Sequence, residues 1–237
     1  QRVIAISNYI KNYILDNYRD VDESNITIIH RGISREQYPY GFQPEDRWLQ
    51  QWRLKYPALE NKFVITLPGR LTRWKGQQDF IEIMDKLIQR GLSVHGLIAG
   101  GADPGKENYL QELKTEVAAR NIDKHISFLG QRDDLREVMA VSNLVLSLAK
   151  IPEAFGRTAL EALFLGVPVI AYDHGGAAEV LGELFPDGKA IPNNTDSVVE
   201  KICRCYQSLP HVPEKSVFTL DTMLDKTIHV YDLLAQQ

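Results

Sequence analysis

Cysteine is nearly absent from this chain: Cys203 and Cys205 are the only two in 237 residues. Two positions apart on an expected helix, they point to different faces and do not bridge each other. That leaves no disulfide framework, which suits a reducing compartment, and a C-x-C metal site lacks further ligands nearby. No apolar run approaches the ~20 residues that a membrane span needs. The opening residues, QRVIAISNYI, lack the charged start, apolar block and cleavage site of a secretory signal. Charge of one sign is not in excess: 27 Lys and Arg against 31 Asp and Glu give a net −4, with no general pull toward nucleic acid or an anionic membrane surface. There is no internal repeat and no low-complexity segment. There is no Walker A loop, because the Gly-Lys-Ser/Thr order is missing. Nor is there a D-x-D motif placed to hold a divalent metal against a diphosphate; Asp133-Asp134 and Asp20-x-Asp22 do not qualify by position.

What is present is the composition of an ordinary globular protein, 44% hydrophobic and 24% charged. Apolar, β-branched runs are expected as strands at 3–7, 26–30, 63–68, 93–99, 126–129, 143–148 and 167–171, with a short one at 190–192. Amphipathic stretches between them are expected as helices at 8–18, 77–90, 107–121, 133–141, 157–165 and 177–181, and later at 197–208 and 221–236. Continuous apolar strands alternating with helices predict an α/β fold: a Rossmann-like parallel sheet with helices on both faces and right-handed crossovers. Residues 33–61 break the rhythm with Pro39, Pro44, Pro57, Trp48 and Trp52. A helix at 45–55 puts both tryptophans on one face. Packing of an insertion onto the domain is favoured over base stacking, since no basic stripe accompanies them.

Two carboxylates stand out in PEAFGRTALEALFLGVPVIA, residues 152–171. Glu153 falls on a loop after a strand and Glu161 about one turn into the following helix, so both can face one crevice at the carboxyl end of the sheet. The helix start near Arg157 offers unpaired N–H groups to an anion such as a phosphate; the plainer alternative is a βαβ unit with solvated carboxylates. In LPGRLTRWKGQQDF, residues 67–80, a strand ends at Pro68, Gly69 allows a close turn, and Arg70 and Lys75 stand on the loop and helix start. They make either an anion site or a solvated basic loop. LIAGGADPG, residues 97–105, is glycine-rich after a strand, but Gly100, Gly101 and Gly105 do not have the G-x-G-x-x-G spacing of a dinucleotide fold. His174, beside the Gly175-Gly176 turn, reads as a solvent-facing or backbone-bonded loop histidine ahead of a catalytic base. His95 and His125 read as ordinary strand-adjacent residues.

As a whole string, Glu153, Phe155, Gly156, Glu161, Ala162, Gly166, Pro168, Val169 and Ile170 resemble the donor-site signature of the GT-B glycosyltransferases of family 4, also called glycosyl transferase group 1. Arg157 stands where that family has Gly or Ser. Gly69, Arg70, Lys75 and Gly76 resemble its diphosphate-binding pattern. The segment 128–149 resembles its nucleotide-side segment, with Asn143 replacing an Asp and Leu148-Ala149 replacing Pro-Ser. Gly175, Gly176 and Glu179 fit its G-G-x-x-E, and His30 stands at its interdomain hinge.

The resemblance implies a retaining hexosyltransferase that moves a sugar from a UDP-, GDP- or ADP-linked donor to an acceptor hydroxyl. It implies no cofactor and a metal-independent site. Arg70 and Lys75 would hold the diphosphate. Glu153 would orient the sugar and Glu161 the ribose hydroxyls. Gly69, Gly100, Arg132, Phe155, Gly156, Arg157 and Thr158 would complete the donor site. The match covers the second half of such an enzyme: residues 1–30 would be a remnant of the acceptor domain and hinge. Residues 31–215 would be the donor domain, and 216–237 a helix returning toward the acceptor domain. The acceptor, a saccharide or lipid-linked glycan, would bind through the missing N-terminal domain, so the fragment alone is expected to be inactive. The implied setting is polysaccharide or lipopolysaccharide synthesis, in the cytoplasm or peripheral at the inner face of its membrane. Two alternatives stand beside this: a GT-B nucleotide-sugar epimerase, and a non-catalytic nucleotide-sugar-binding module.

Overall fold

The computed structural model describes residues 2–102 and 107–236; Gly105 lies outside the described residues. Two short strands, β1 (Val3–Ala5) and β2 (Ile26–Ile28), flank helix α1 (Asn8–Asn17) and pair in parallel with each other. After α2 (Asp46–Lys55) comes a separate six-stranded sheet. Its strands and helices follow in turn: β3 (Phe63–Pro68), α3 (Gln77–Gln89), β4 (Val94–Ala99), α4 (Glu107–Ala119), β5 (Ile126–Gly130), α5 (Leu135–Ala140), β6 (Leu144–Ser147), α6 (Arg157–Phe164), β7 (Val169–Tyr172), α7 (Gly175–Leu184) and β8 (Lys189–Ala190). Helices α8 (Thr195–Gln207) and α9 (Leu220–Ala235) close the chain. All pairings are parallel and the spatial order is β5-β4-β3-β6-β7-β8. The fold class is the expected one.

Strand periodicity decides which helix packs where. Successive side chains of a strand point to opposite faces. Ile65 and Leu67 of β3, Leu144 and Leu146 of β6, and Ile170 and Tyr172 of β7 join α3, α4 and α8 in one buried cluster. Val145, Val169 and Ala171 face the other way, into α6 and α7. Val64 meets Trp52 of α2 and Val138 of α5. Trp48 and Trp52 stack with centroids 4.9 Å apart, and Trp52 is buried with Val64, Leu97 and Val138, so the aromatic insertion packs onto the domain as expected.

Several boundaries differ from the expected ones, for local reasons. Helix α7 starts at Gly175, earlier than 177, because its two glycines press against a neighbouring loop; a Cβ on Gly176 would overlap Phe155. Packing here overrides the low helix propensity of glycine. Helix α5 starts only at Leu135. Asp134, at its N-cap position, gives its carboxylate to Arg132 (2.7 Å) and to the Trp48 indole N–H (2.8 Å), not to a helix amide. Asn143 receives the Val64 backbone N–H on its amide oxygen at 2.7 Å, so the neutral residue fills the acceptor role.

His95 lies on β4, 2% exposed, with Nε2 at 2.9 Å from the Ser127 hydroxyl. Burial, with minor repulsion from His125 and Lys62, lowers its pKa from 6.5 to about 4. The unfolded chain takes up this proton below about pH 6.5 and the folded chain refuses it until about pH 4, so stability falls as pH drops through that window and is untouched above it. Urea unfolding at pH 7 and pH 4.5 should show the wild type losing roughly 2.5 kcal/mol more than His95→Gln; equal losses would assign the proton uptake to other groups.

Candidate functional site

The strand order reverses between β3 and β6, which makes their carboxyl ends the switch point where doubly wound sheets bind ligands. The loops leaving these strands meet backbone to backbone. Gly76, the left-handed N-cap of α3, sits so that a Cβ would overlap the carbonyl oxygen of Leu148. Gly156, the left-handed N-cap of α6, would place a Cβ 2.6 Å from Cα of Ala177 at the start of α7. Neither helix has a side-chain cap, whereas α1, α8 and α9 are capped by Ser7, Asn194 and Thr219. The first amides of α3 and α6 therefore lack a side-chain acceptor, the usual condition for anion binding at a helix start.

Lys75 reaches across this junction and donates to the Glu153 carboxylate. Both side chains are mostly buried, at 22% and 14% exposure, and the ammonium lies 4.6 Å from the Trp74 ring centroid. Lys75 is thus paired and mostly buried. A cleft of about 420 Å³ runs between Trp74–Lys75 and residues 151–158. A larger cavity of about 580 Å³ opens beside His30, Glu179 and Met223, but none of its lining residues comes from the loops leaving β3 or β6. One turn into α6, Glu161 is 9% exposed and accepts from Nε of Arg157 at 2.8 Å. Tyr38 lies against it. Burial first, then the Glu161 charge and hydrogen bond, push the Tyr38 hydroxyl pKa up.

A buried polar strut fixes the spacing of these loops. Asp79, in the first turn of α3, accepts from the Tyr172 hydroxyl and from Lys150, each at 2.7 Å. Burial, then the Asp79 hydrogen bond and charge, push the Tyr172 hydroxyl pKa far up. The Lys150 amide also donates to the Trp74 carbonyl at 2.7 Å. One carboxylate thereby ties the helix after Lys75 to the loop before Glu153 and to the end of β7.

Residues 50–209 match the family described as Glycosyl transferases group 1. The chain belongs to this family. An uncharacterized glycosyltransferase of Methanocaldococcus jannaschii is 25% identical over 245 residues, which cover 98% of this chain and 60% of the relative. A glycosyltransferase structure from Rickettsia africae aligns with a TM-score of 0.89 at 26% identity, over 100% of this chain and 64% of that one. The Anabaena protein HepE, solved with UDP and glucose, aligns with a TM-score of 0.82 at 24% identity over 100% of this chain and 63% of that one, a likeness that speaks for the fold. The chain thus spans less than two thirds of the length of these relatives.

Within this glycosyl transferase group 1 chain the fold brings some of the expected site residues together and holds others apart. Lys75, Glu153, Phe155, Gly156, Arg157 and Thr158 line one cleft, although the Phe155 ring itself is buried in the core, so only its backbone faces outward. Gly69 and Gly100 are brought together: a Cβ on Gly100 would overlap the Gly69 carbonyl, so Gly100 serves the close approach of two loops. Arg70 is held through its carbonyl, which accepts from Gln77 at 2.9 Å. The Arg132 side chain goes elsewhere. It is paired with Asp134 and lies over Trp52 at 5.7 Å, which leaves the loop's backbone as the part able to meet a ligand. Arg73 pairs with Glu112 on the surface, and His174 contacts the Ala149 carbonyl at 2.7 Å, the backbone-bonded role expected of it. Among the described residues no three His, Cys, Asp or Glu side chains cluster as metal ligands would.

Sequence reasoning missed Trp74, Asp79, Lys150, Tyr172 and Tyr38. The signal for Asp79 was a carboxylate in the first turn of a helix whose N-cap is glycine, although its partners lie 71 and 93 residues away. Asp79→Ala should lower stability by about 2–3 kcal/mol and Tyr172→Phe by about 1–2 kcal/mol. Urea denaturation measures both; a loss below about 0.5 kcal/mol for Asp79→Ala would mean that the strut is solvated and contributes nothing.

Proposed function

We propose that this chain is the donor-binding half of a retaining family 4 glycosyltransferase of the GT-B fold, acting on a nucleoside diphosphate sugar. The observation that carries the reading is the Lys75–Glu153 pair at the switch point, a cation for a diphosphate beside a carboxylate for sugar hydroxyls, next to a helix start with no side-chain cap. The UDP and glucose in the HepE structure support a sugar nucleotide as ligand. No helix among the described residues is long and apolar enough to cross a membrane.

In this reading the bond between the anomeric carbon and the diphosphate breaks as the acceptor hydroxyl oxygen bonds to the same carbon on the same face, and the hydroxyl proton passes to the departing diphosphate oxygen. Negative charge grows on the departing diphosphate, where Lys75, Arg70 and the first amides of α6 stabilise it. An ammonium has three donors, so Lys75 can hold a phosphate oxygen and Glu153 together. Glu161 receives the ribose diol, with Arg157 swinging aside or turning to phosphate. Residues 1–30 and 216–237 belong with the acceptor-binding unit, and the chain crosses between units where Ile33 pairs with Phe218 and Leu220. Apolar side chains left exposed on α9, including Leu224, Ile228 and Tyr231, fit a surface that this unit covers. The acceptor is a saccharide or lipid-linked glycan, the setting is cell-surface glycan assembly at the cytoplasmic face, and this chain alone binds donor without turning it over.

Calorimetric titration with UDP, GDP and ADP, each free and as its glucose conjugate, tests the reading. Glu161→Ala should weaken both UDP and UDP-glucose by about 1.5–3 kcal/mol. Glu153→Ala should weaken UDP-glucose by a similar amount while leaving UDP unchanged or tighter, because Lys75 loses its competing partner. Equal weakening of free UDP in both variants would end this division of roles.

A further inference from the structure

The loop that carries Glu153 is held by three consecutive grips. The Glu153 carbonyl accepts from the Gly176 amide at 2.7 Å. The Ala154 carbonyl accepts from the Ser7 hydroxyl at 2.6 Å. The Phe155 ring stands edge-on to Phe218 at 5.9 Å and tilted to His30 at 6.3 Å. The first grip comes from α7. The second comes wholly from the segment before residue 31, and the third comes partly from it.

What holds that segment in place is Glu179, one turn along α7. Its carboxylate accepts the Asn8 amide (2.9 Å), the Tyr9 amide (2.7 Å) and the Asn8 side chain (2.9 Å), so it occupies the positive end of α1. His30 Nε2 lies 3.2 Å from the same carboxylate. Ser7 is 0% exposed and uses its hydroxyl in both directions, accepting the Ile10 amide at 3.1 Å while donating to Ala154. Burial alone would raise the Glu179 pKa, but these amides and His30 outweigh it and hold the pKa below its usual range, so the group is ionised at neutral pH.

We propose that Glu179 and Ser7 are positioning residues for the donor loop, through which the segment before residue 31 sets the placement of Glu153. Glu179 seats the start of α1 on α7, and the seated α1 presents Ser7 to Ala154. A shift of that segment reaches Glu153 through one carbonyl. Neither residue lines the cleft that holds Lys75 and Glu153. The donor part of this inference rests on the reading above; the mechanical part does not.

The experiment has two arms. Hydrogen exchange on the unliganded chain reads the amides of Phe155, Gly156 and Gly176 against control amides in β3 and β4. Glu179→Ala should speed exchange at the loop at least tenfold with the controls unchanged. Glu179→Gln, which keeps acceptor oxygen, should restore most of the protection. Ser7→Ala should speed exchange at Phe155 and Gly156 but leave the Asn8 and Tyr9 amides protected. Titration with UDP and UDP-glucose is the second arm. Glu179→Ala should keep UDP affinity within twofold and lose about tenfold for UDP-glucose. Loop exchange unchanged in both Glu179→Ala and Ser7→Ala, with the controls protected, overturns the proposal. So does an equal loss for UDP and UDP-glucose. Should Glu179→Ala lose protection in the controls too, Ser7→Ala alone decides. A wild type that binds neither nucleotide ends the donor reading, and the exchange arm still decides the mechanical claim.

Discussion

The contact between the Lys75 ammonium and the Glu153 carboxylate is the point on which the rest of the structure converges. It forms only if the loop leaving β3 and the loop leaving β6 come together at the switch point. That needs a parallel sheet with β3 beside β6 and a Gly76 backbone without a Cβ in the way of Leu148. It also needs Asp79 to hold Lys150, three residues ahead of Glu153, against the first turn of α3. A mostly buried ion pair is not a strong source of net stability, since desolvation offsets most of the attraction. Its value here is geometric: a cation and a carboxylate are fixed at the same end of the sheet before any ligand arrives.

The surrounding chemistry separates rigid parts from exchangeable ones. Backbone-on-backbone contacts at Gly76, Gly156 and Gly176 and the buried Asp79–Tyr172 bond define the walls. The exchangeable parts are side chains at the cleft's mouth. Arg157 is 72% exposed while its partner Glu161 is 9% exposed, so the pair opens by moving the arginine alone. Walls of this kind hold charged groups in register, as the proposed role toward a departing diphosphate requires.

The sheet was legible because its central strands β3, β4, β6 and β7 are buried on both faces and read as continuous apolar runs, with helical periods between. Glu153, Glu161 and Lys75 stood out through the resemblance of their strings to the family's signatures, since spacing alone left a solvated alternative open for each. Contacts between distant segments were not legible. Tyr172 meets Asp79 across 93 residues and Glu179 meets Tyr9 across 170, and no local spacing encodes either. The partners of the Arg132 side chain were not legible either: Asp134 two residues on and the Trp52 face take up its charge. The expected bound of α7 fell at 177, past Gly175 and Gly176, because propensity alone does not reveal the loop packed against them.

The most direct measurement is an NMR titration of the isotopically labelled chain with UDP, followed at the backbone amides. The account predicts saturable shifts confined to residues 69–76 and 153–161 and to the neighbouring exits of β4 and β5. No saturable shift at millimolar UDP, or shifts confined to the cavity beside His30 and Met223, would contradict it.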